Sequence, residues 1–147
     1  PAVMNTCRFL ETQGFRVTYV PVNRQGIVEP DSVRRALEKD TILVSVMASN
    51  NETGCIMPIE EIGGIAKGAG VLMHTDAVQS TGKVPLSWES LPVDLLTFSG
   101  HKVNGLKGAG GLLVRKGIEL EAARFSSKVV FAVSIALTVI VGVKVLL

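Results

Sequence analysis

Residues 97–117 read TFSGHKVNGLKGAGGLLVRKG. A largely apolar stretch, VDLLTF at 93–98, gives way at Ser99 to Gly100, His101 and Lys102, and then to a loop crowded with glycine. The stretch suits a strand buried on both faces, and the lysine stands where that strand should stop. In open α/β sheets, ligands gather outside the carboxyl ends of the strands. The reading therefore turns on whether other buried strands end the same way.

Two more do. TILVSVMAS (41–49) is a continuous apolar run that ends in Asn50, Asn51 and Glu52, and VLMHTDA (71–77) ends with His74, Asp76 and, just beyond, Gln79. Further strands are predicted at Phe15–Val20, where apolar and polar residues alternate, and within AGGLLVRKG (109–117). Helical spacing marks Ala2–Gln13, with Gly14 as its stop, then EPDSVRRALEKD (29–40) with its acidic first turn, and IEEIGGIAKGAG (59–70), weakened by Gly63 and Gly64. Strands alternate with helices along most of the chain. This predicts an α/β fold with a mainly parallel sheet flanked by helices.

Composition narrows the function. The 147 residues fit one domain with a real core, and the net charge of +2 argues for neither nucleic acid nor acidic lipid. Aromatics make up 5%, too few to suggest base stacking, so no direct nucleic-acid binding is expected. Cys7 and Cys55 form no zinc spacing, so no metal is expected. Both are read as reduced, packed thiols of a reducing compartment. The first ten residues lack the pattern of a signal peptide. The absence of an initiator methionine suggests a fragment or a processed product.

The polar residues at the three strand ends ask for a chemistry. An acid at one end and a lysine at another could simply be a structural salt bridge. Three additions favour a ligand. Asp76 follows an apolar run and should be half-buried, in need of a cationic partner. Ser99, Gly100 and His101 offer a hydroxyl, a bare backbone and an imidazole to an anion. Asn51 and Gln79 offer neutral hydrogen bonds. Pyridoxal phosphate makes matching demands: a lysine for its aldehyde, a carboxylate for its pyridine nitrogen, donors for its phosphate and a neutral partner for its ring hydroxyl.

The stretches NNETG, HTDAVQSTGK and FSGHKVNGLKGAGGLLVRKG, in that order and spacing, resemble the cysteine desulfurase family of class V aminotransferase-like enzymes. NNETG is similar to the branch that holds the iron–sulfur-cluster and nitrogen-fixation desulfurases and selenocysteine lyase. The resemblance implies part of the large domain of a fold-type I pyridoxal-phosphate enzyme over residues 1–120. It implies Lys102 as the Schiff-base lysine, Asp76 on the pyridine nitrogen, Gln79 on the ring hydroxyl with Asn51 close by, and Ser99 and His101 at the phosphate. It further implies L-cysteine as substrate, with alanine and an enzyme persulfide as products for cluster assembly or tRNA thiolation. A homodimer when full length, a sulfur-acceptor or scaffold protein as partner, and a cytoplasmic or mitochondrial location also follow from it. Selenocysteine lyase and a non-catalytic truncated product with a membrane tail are the alternatives.

The pattern departs from the family in places. Neither cysteine matches the family's catalytic loop, and the substrate-binding arginine, the first phosphate loop and the ring-stacking histidine are not found. Asn104 and Leu106 stand where the family has an aromatic or histidine and then proline, which should loosen that loop. His74 is read as a packing or hydrogen-bonding residue on the face opposite Asp76, and Trp88 as a packing anchor. Residues 121–147 form a divergent hydrophobic tail, with no charge from Val129 to Val143. A tail anchor, a buried element and a reading lost by truncation or gene-model error are the alternatives for it, the last being favoured.

Overall fold

The computed structural model describes residues 2–119, together with the backbone of residues 144–146. Among the described residues three helices and six strands follow in chain order. They are α1 (Ala2–Thr12), β1 (Arg16–Thr18), α2 (Pro30–Ala36), β2 (Leu43–Met47), α3 (Ile59–Gly68), β3 (Leu72–Asp76), β4 (Leu95–Ser99), β5 (Gly110–Val114) and β6 (Lys144–Leu146). A short 3-10 turn, Gly100–Val103, leaves the end of β4.

The sheet runs β1-β6-β2-β3-β4-β5. Every pairing is parallel except β4 with β5, which is antiparallel. The fold is thus the mainly parallel α/β sheet that the alternating elements predict. The uncharged run 129–143 lies outside the described residues, whereas residues 144–146 add a strand between β1 and β2. No described helix is long and apolar enough to cross a membrane.

One face of the sheet carries Val44, Val46, Met73 and Leu96. It packs on Val33 of α2 and on Ile59, Ile62 and Ala66 of α3, and all of these are buried. Gly63 lets α3 approach the chain before β4 closely: a Cβ there would fall on the carbonyl oxygen of Pro92 and within 2.9 Å of its Cγ. Helix α2 stops at Ala36, short of the predicted end, because Leu37 turns extended at ψ 133°. The residues beyond it have other work. Glu38 and Asp40 both pair with Arg16 of β1, and the N–H of Glu38 donates to Thr41 Oγ1.

Arg115, just after β5, fixes the entry to β4. Its guanidinium donates to the carbonyls of Trp88, Leu91 and Val93 and lies 4.4 Å from the centre of the Trp88 ring. Trp88 itself packs against the core, as its reading as an anchor predicted. The glycines of the opening stretch have distinct uses. Phe98 lies across Gly111 on the neighbouring strand, where a Cβ would come within 2.6 Å of its ring.

Candidate active site

The register of the parallel strands builds the site. Met47, Asp76 and Thr97 lie side by side across β2, β3 and β4. The ladder continues one step further, with the Ala48 N–H donating to Asp76 O and the Ala77 N–H to Thr97 O. β2 and β3 therefore end level with one another, and β4 runs two residues further, to Ser99. The chain leaves the sheet along a single edge at residues 48–52, 77–80 and 100–102, and all six predicted site residues lie in these segments or at the last positions of β3 and β4.

Asn51 is exposed in a loop closed by its own backbone: Met57 N–H donates to Ala48 O, and Asn50 N–H to Cys55 O. Asn50 shapes that loop, its Oδ1 accepting from the N–H groups of Glu52 (2.9 Å) and Thr53 (3.0 Å). Gln79 is half-buried in a turn where Ser80 and Thr81 N–H donate to Ala77 O.

Asp76 is half-buried, as its place after an apolar run predicts, and its Oδ1 accepts from the Val78 N–H at 2.9 Å. Among the described residues neither Asp76 nor Lys102 forms an ion pair. The simple structural salt bridge is therefore not what holds this acid and this lysine.

Lys102, also half-buried, stands in the 3-10 turn beside His101. Ser99 Oγ and His101 Nδ1 lie 2.7 Å apart, so the hydroxyl and imidazole meet across Gly100. The turn ends at Asn104, in the left-handed region at φ 60°, a conformation asparagine tolerates better than most residues. Gly105 N–H returns to Gly100 O (2.8 Å), and Gly100 N–H to Ala109 O (2.9 Å). A Cβ at Gly105 would sit 2.9 Å from the Gly100 oxygen, so the loop closes backbone on backbone there. These bonds hold a loop that lacks the family's proline.

His74 corrects the sequence reading. It is two residues from Asp76, and side chains two apart on a strand share a face. It lies on the Asp76 face, buried, with Nδ1 2.7 Å from Ser45 Oγ and Nε2 3.3 Å from Thr97 Oγ1. Burial lowers its pKa from 6.5 to about 4, so it bridges the two hydroxyls as a neutral imidazole. Its role as a hydrogen-bonding residue stands; its face does not.

One contact went unforeseen. Ser49 Oγ and Ser80 Oγ lie 2.6 Å apart and join the Asn51 loop to the Gln79 turn. Serines beside polar residues are common in loops, and nothing local singles these two out.

The family model for class V aminotransferases matches residues 1–142. The chain belongs to the class V aminotransferase family. It is 52% identical over 120 residues to the cysteine desulfurase IscS of Methanosarcina thermophila, and 51% identical over 119 residues to that of Dictyoglomus turgidum. Those matches take in 82% and 81% of this chain but 30% of each relative, so the chain spans about a third of their length. Among solved structures, SspA in complex with cysteine superposes with a TM-score of 0.76 at 42% identity, over 78% of this chain and 33% of that one. A NifS-like protein gives 0.76 at 45% identity, over 79% and 32%. Both superpositions support the mainly parallel α/β fold described above.

Proposed function

We propose that the chain is the pyridoxal-phosphate-binding core of a cysteine desulfurase. The observation that carries this reading is the common edge. Three parallel strand ends on one edge bring a hydroxyl–imidazole pair to one side of the sheet, with a carboxylate and a lysine that form no ion pair among the described residues. The donor set suits the cofactor. One oxygen of Asp76 is engaged by Val78 N–H, which orients the carboxylate and leaves the other oxygen to hold a proton on a ring nitrogen. Lys102 offers an amine for an aldehyde. Ser99 and His101, already together, offer donors to a phosphate, and Asn51 and Gln79 offer amides to a ring hydroxyl.

Bound there, pyridoxal phosphate supplies an electron sink that allows bonds at the Cα and Cβ of an amino acid to break. Once its amine is free, Lys102 is the group that can carry protons at those carbons. On this reading L-cysteine gives its sulfur to a protein thiol as a persulfide and leaves as alanine. Neither cysteine of this chain suits that thiol. Cys7 is fully buried, and burial together with the nearby Glu11 carboxylate pushes its pKa up. Cys55 donates its S–H to Gln25 O at 2.9 Å. The chain's own share of the reaction is to hold and orient the cofactor, and an acceptor thiol, a partner protein and a second subunit complete the full-length protein.

The test is direct. The chain is mixed with pyridoxal phosphate, reduced with borohydride, and its peptides are mapped by mass spectrometry. One adduct per chain at Lys102, absent from Lys102→Ala, is expected. Labelling scattered over the surface lysines would refute a specific site.

A further inference from the structure

The last backbone bond between β2 and β3 is Ala48 N–H to Asp76 O, after which the two segments part into a loop and a turn. The next link between them is made by side chains. Ser49 precedes the loop that carries Asn51, and Ser80 directly follows Gln79. Their hydroxyl oxygens lie 2.6 Å apart across a sequence separation of 31 residues.

Both ends of this link are anchored. Ser49 forms an antiparallel bridge with Ile56. Ser80 donates its N–H to Ala77 O, and its carbonyl accepts from the N–H groups of Lys83 and Val84. Ser80 is 1% exposed, so water cannot replace Ser49 as its partner without the turn opening. A bond between two such fixed points transmits displacement instead of absorbing it.

We propose that the Ser49–Ser80 hydroxyl pair is a positioning contact that sets the spacing of Asn51 and Gln79 for a polar ring bound between their loops. This rests on the cofactor reading and gives two residues outside its motif roles a part in the same site. The pair itself touches no substrate. It acts through the amides on either side of it.

The experiment compares Ser49→Ala, Ser80→Ala and the double variant with Thr81→Val. Thr81 lies in the same turn, but its hydroxyl bonds within the turn, to Ala77 O. Pyridoxal phosphate binding is titrated, and amide hydrogen exchange is measured on the cofactor-free chain. Each single variant is expected to weaken binding about three- to tenfold, the range set by one hydrogen bond. The double variant should be no weaker than either single one, because the same link is lost. Exchange should quicken in residues 50–55 and 78–84 together for either single variant, and in neither result should Thr81→Val follow. Faster exchange confined to the substituted segment, additive losses, or unchanged affinity with quicker exchange would overturn the proposal. If the unsubstituted chain gives no adduct at Lys102, the cofactor reading fails on its own terms. The exchange pattern then still decides whether the two segments are coupled.

Discussion

His74 and Thr75 are neighbours with opposite fates. Thr75 points to the apolar face, fully buried, and its hydroxyl has no partner among the described residues. His74 points the other way and is satisfied at both ring nitrogens. That satisfaction depends on pH. Burial lowers the imidazole pKa from 6.5 to about 4, so the unfolded chain takes up this proton at a higher pH than the folded one. Stability from the neutral ring is complete above pH 6.5 and is lost as the pH falls towards 4. At the acid end the loss comes to about 3 kcal/mol. Urea titrations across this window should show stability falling with acid, and His74→Gln should flatten the fall relative to the parent chain. Equal slopes for both would mean that the ring is not held neutral.

At the scale of the element, helix α3 carries two adjacent glycines with opposite roles. Both weaken a helix, since glycine gives up more backbone freedom than alanine on folding. Gly63 is needed nonetheless, because the Pro92 backbone occupies the space a side chain would take. Gly64 faces open space, and a Cβ added there would meet nothing within 4 Å. Gly63→Ala should destabilise the chain by about 1–3 kcal/mol through overpacking. Gly64→Ala should stabilise it by about 0.5–1 kcal/mol. Thermal melts of the two variants measure both signs, and a stabilising Gly63→Ala would show that the α3 contact yields. Sequence periodicity located α3 and flagged both glycines as weak points. It could not tell them apart, because the difference lies in the distant segment around Pro92.

For the whole molecule, the apolar surface is unevenly covered. The face of the sheet that packs on α2 and α3 is sealed. On the other face Met47 and Leu72 are 41% and 37% exposed, and Met4 and Phe9 of α1 are 41% and 44% exposed. Strand β5 lies at the sheet edge, where backbone groups can pair with another strand. Large apolar side chains left exposed on both a sheet face and a helix favour association. The purified chain should therefore run as oligomers or aggregates in size-exclusion chromatography with light scattering. A monodisperse monomer with a cooperative melt would contradict this.

Local order in the sequence was enough for much of this protein. Apolar runs of strand length, bounded by polar residues, placed β2, β3 and β4, and the residues that follow them supplied Asn51, Asp76, Gln79, Ser99, His101 and Lys102 as site candidates. These follow from chain periodicity and from the rule that parallel strands end at the ligand edge, and both can be read along one dimension. Other features depend on which strand lies beside which. The register that brings the three ends to one edge, the antiparallel turn of β5, the strand at 144–146 between β1 and β2, and the hydroxyl pair of Ser49 and Ser80 are contacts between distant segments. Helix α2 ends at Ala36, where Leu37 turns extended, and Glu38 and Asp40 beyond it pair with Arg16 of β1. A side chain's period is written in its neighbours along the chain, whereas its partner is chosen by packing, and only the folded sheet makes that choice.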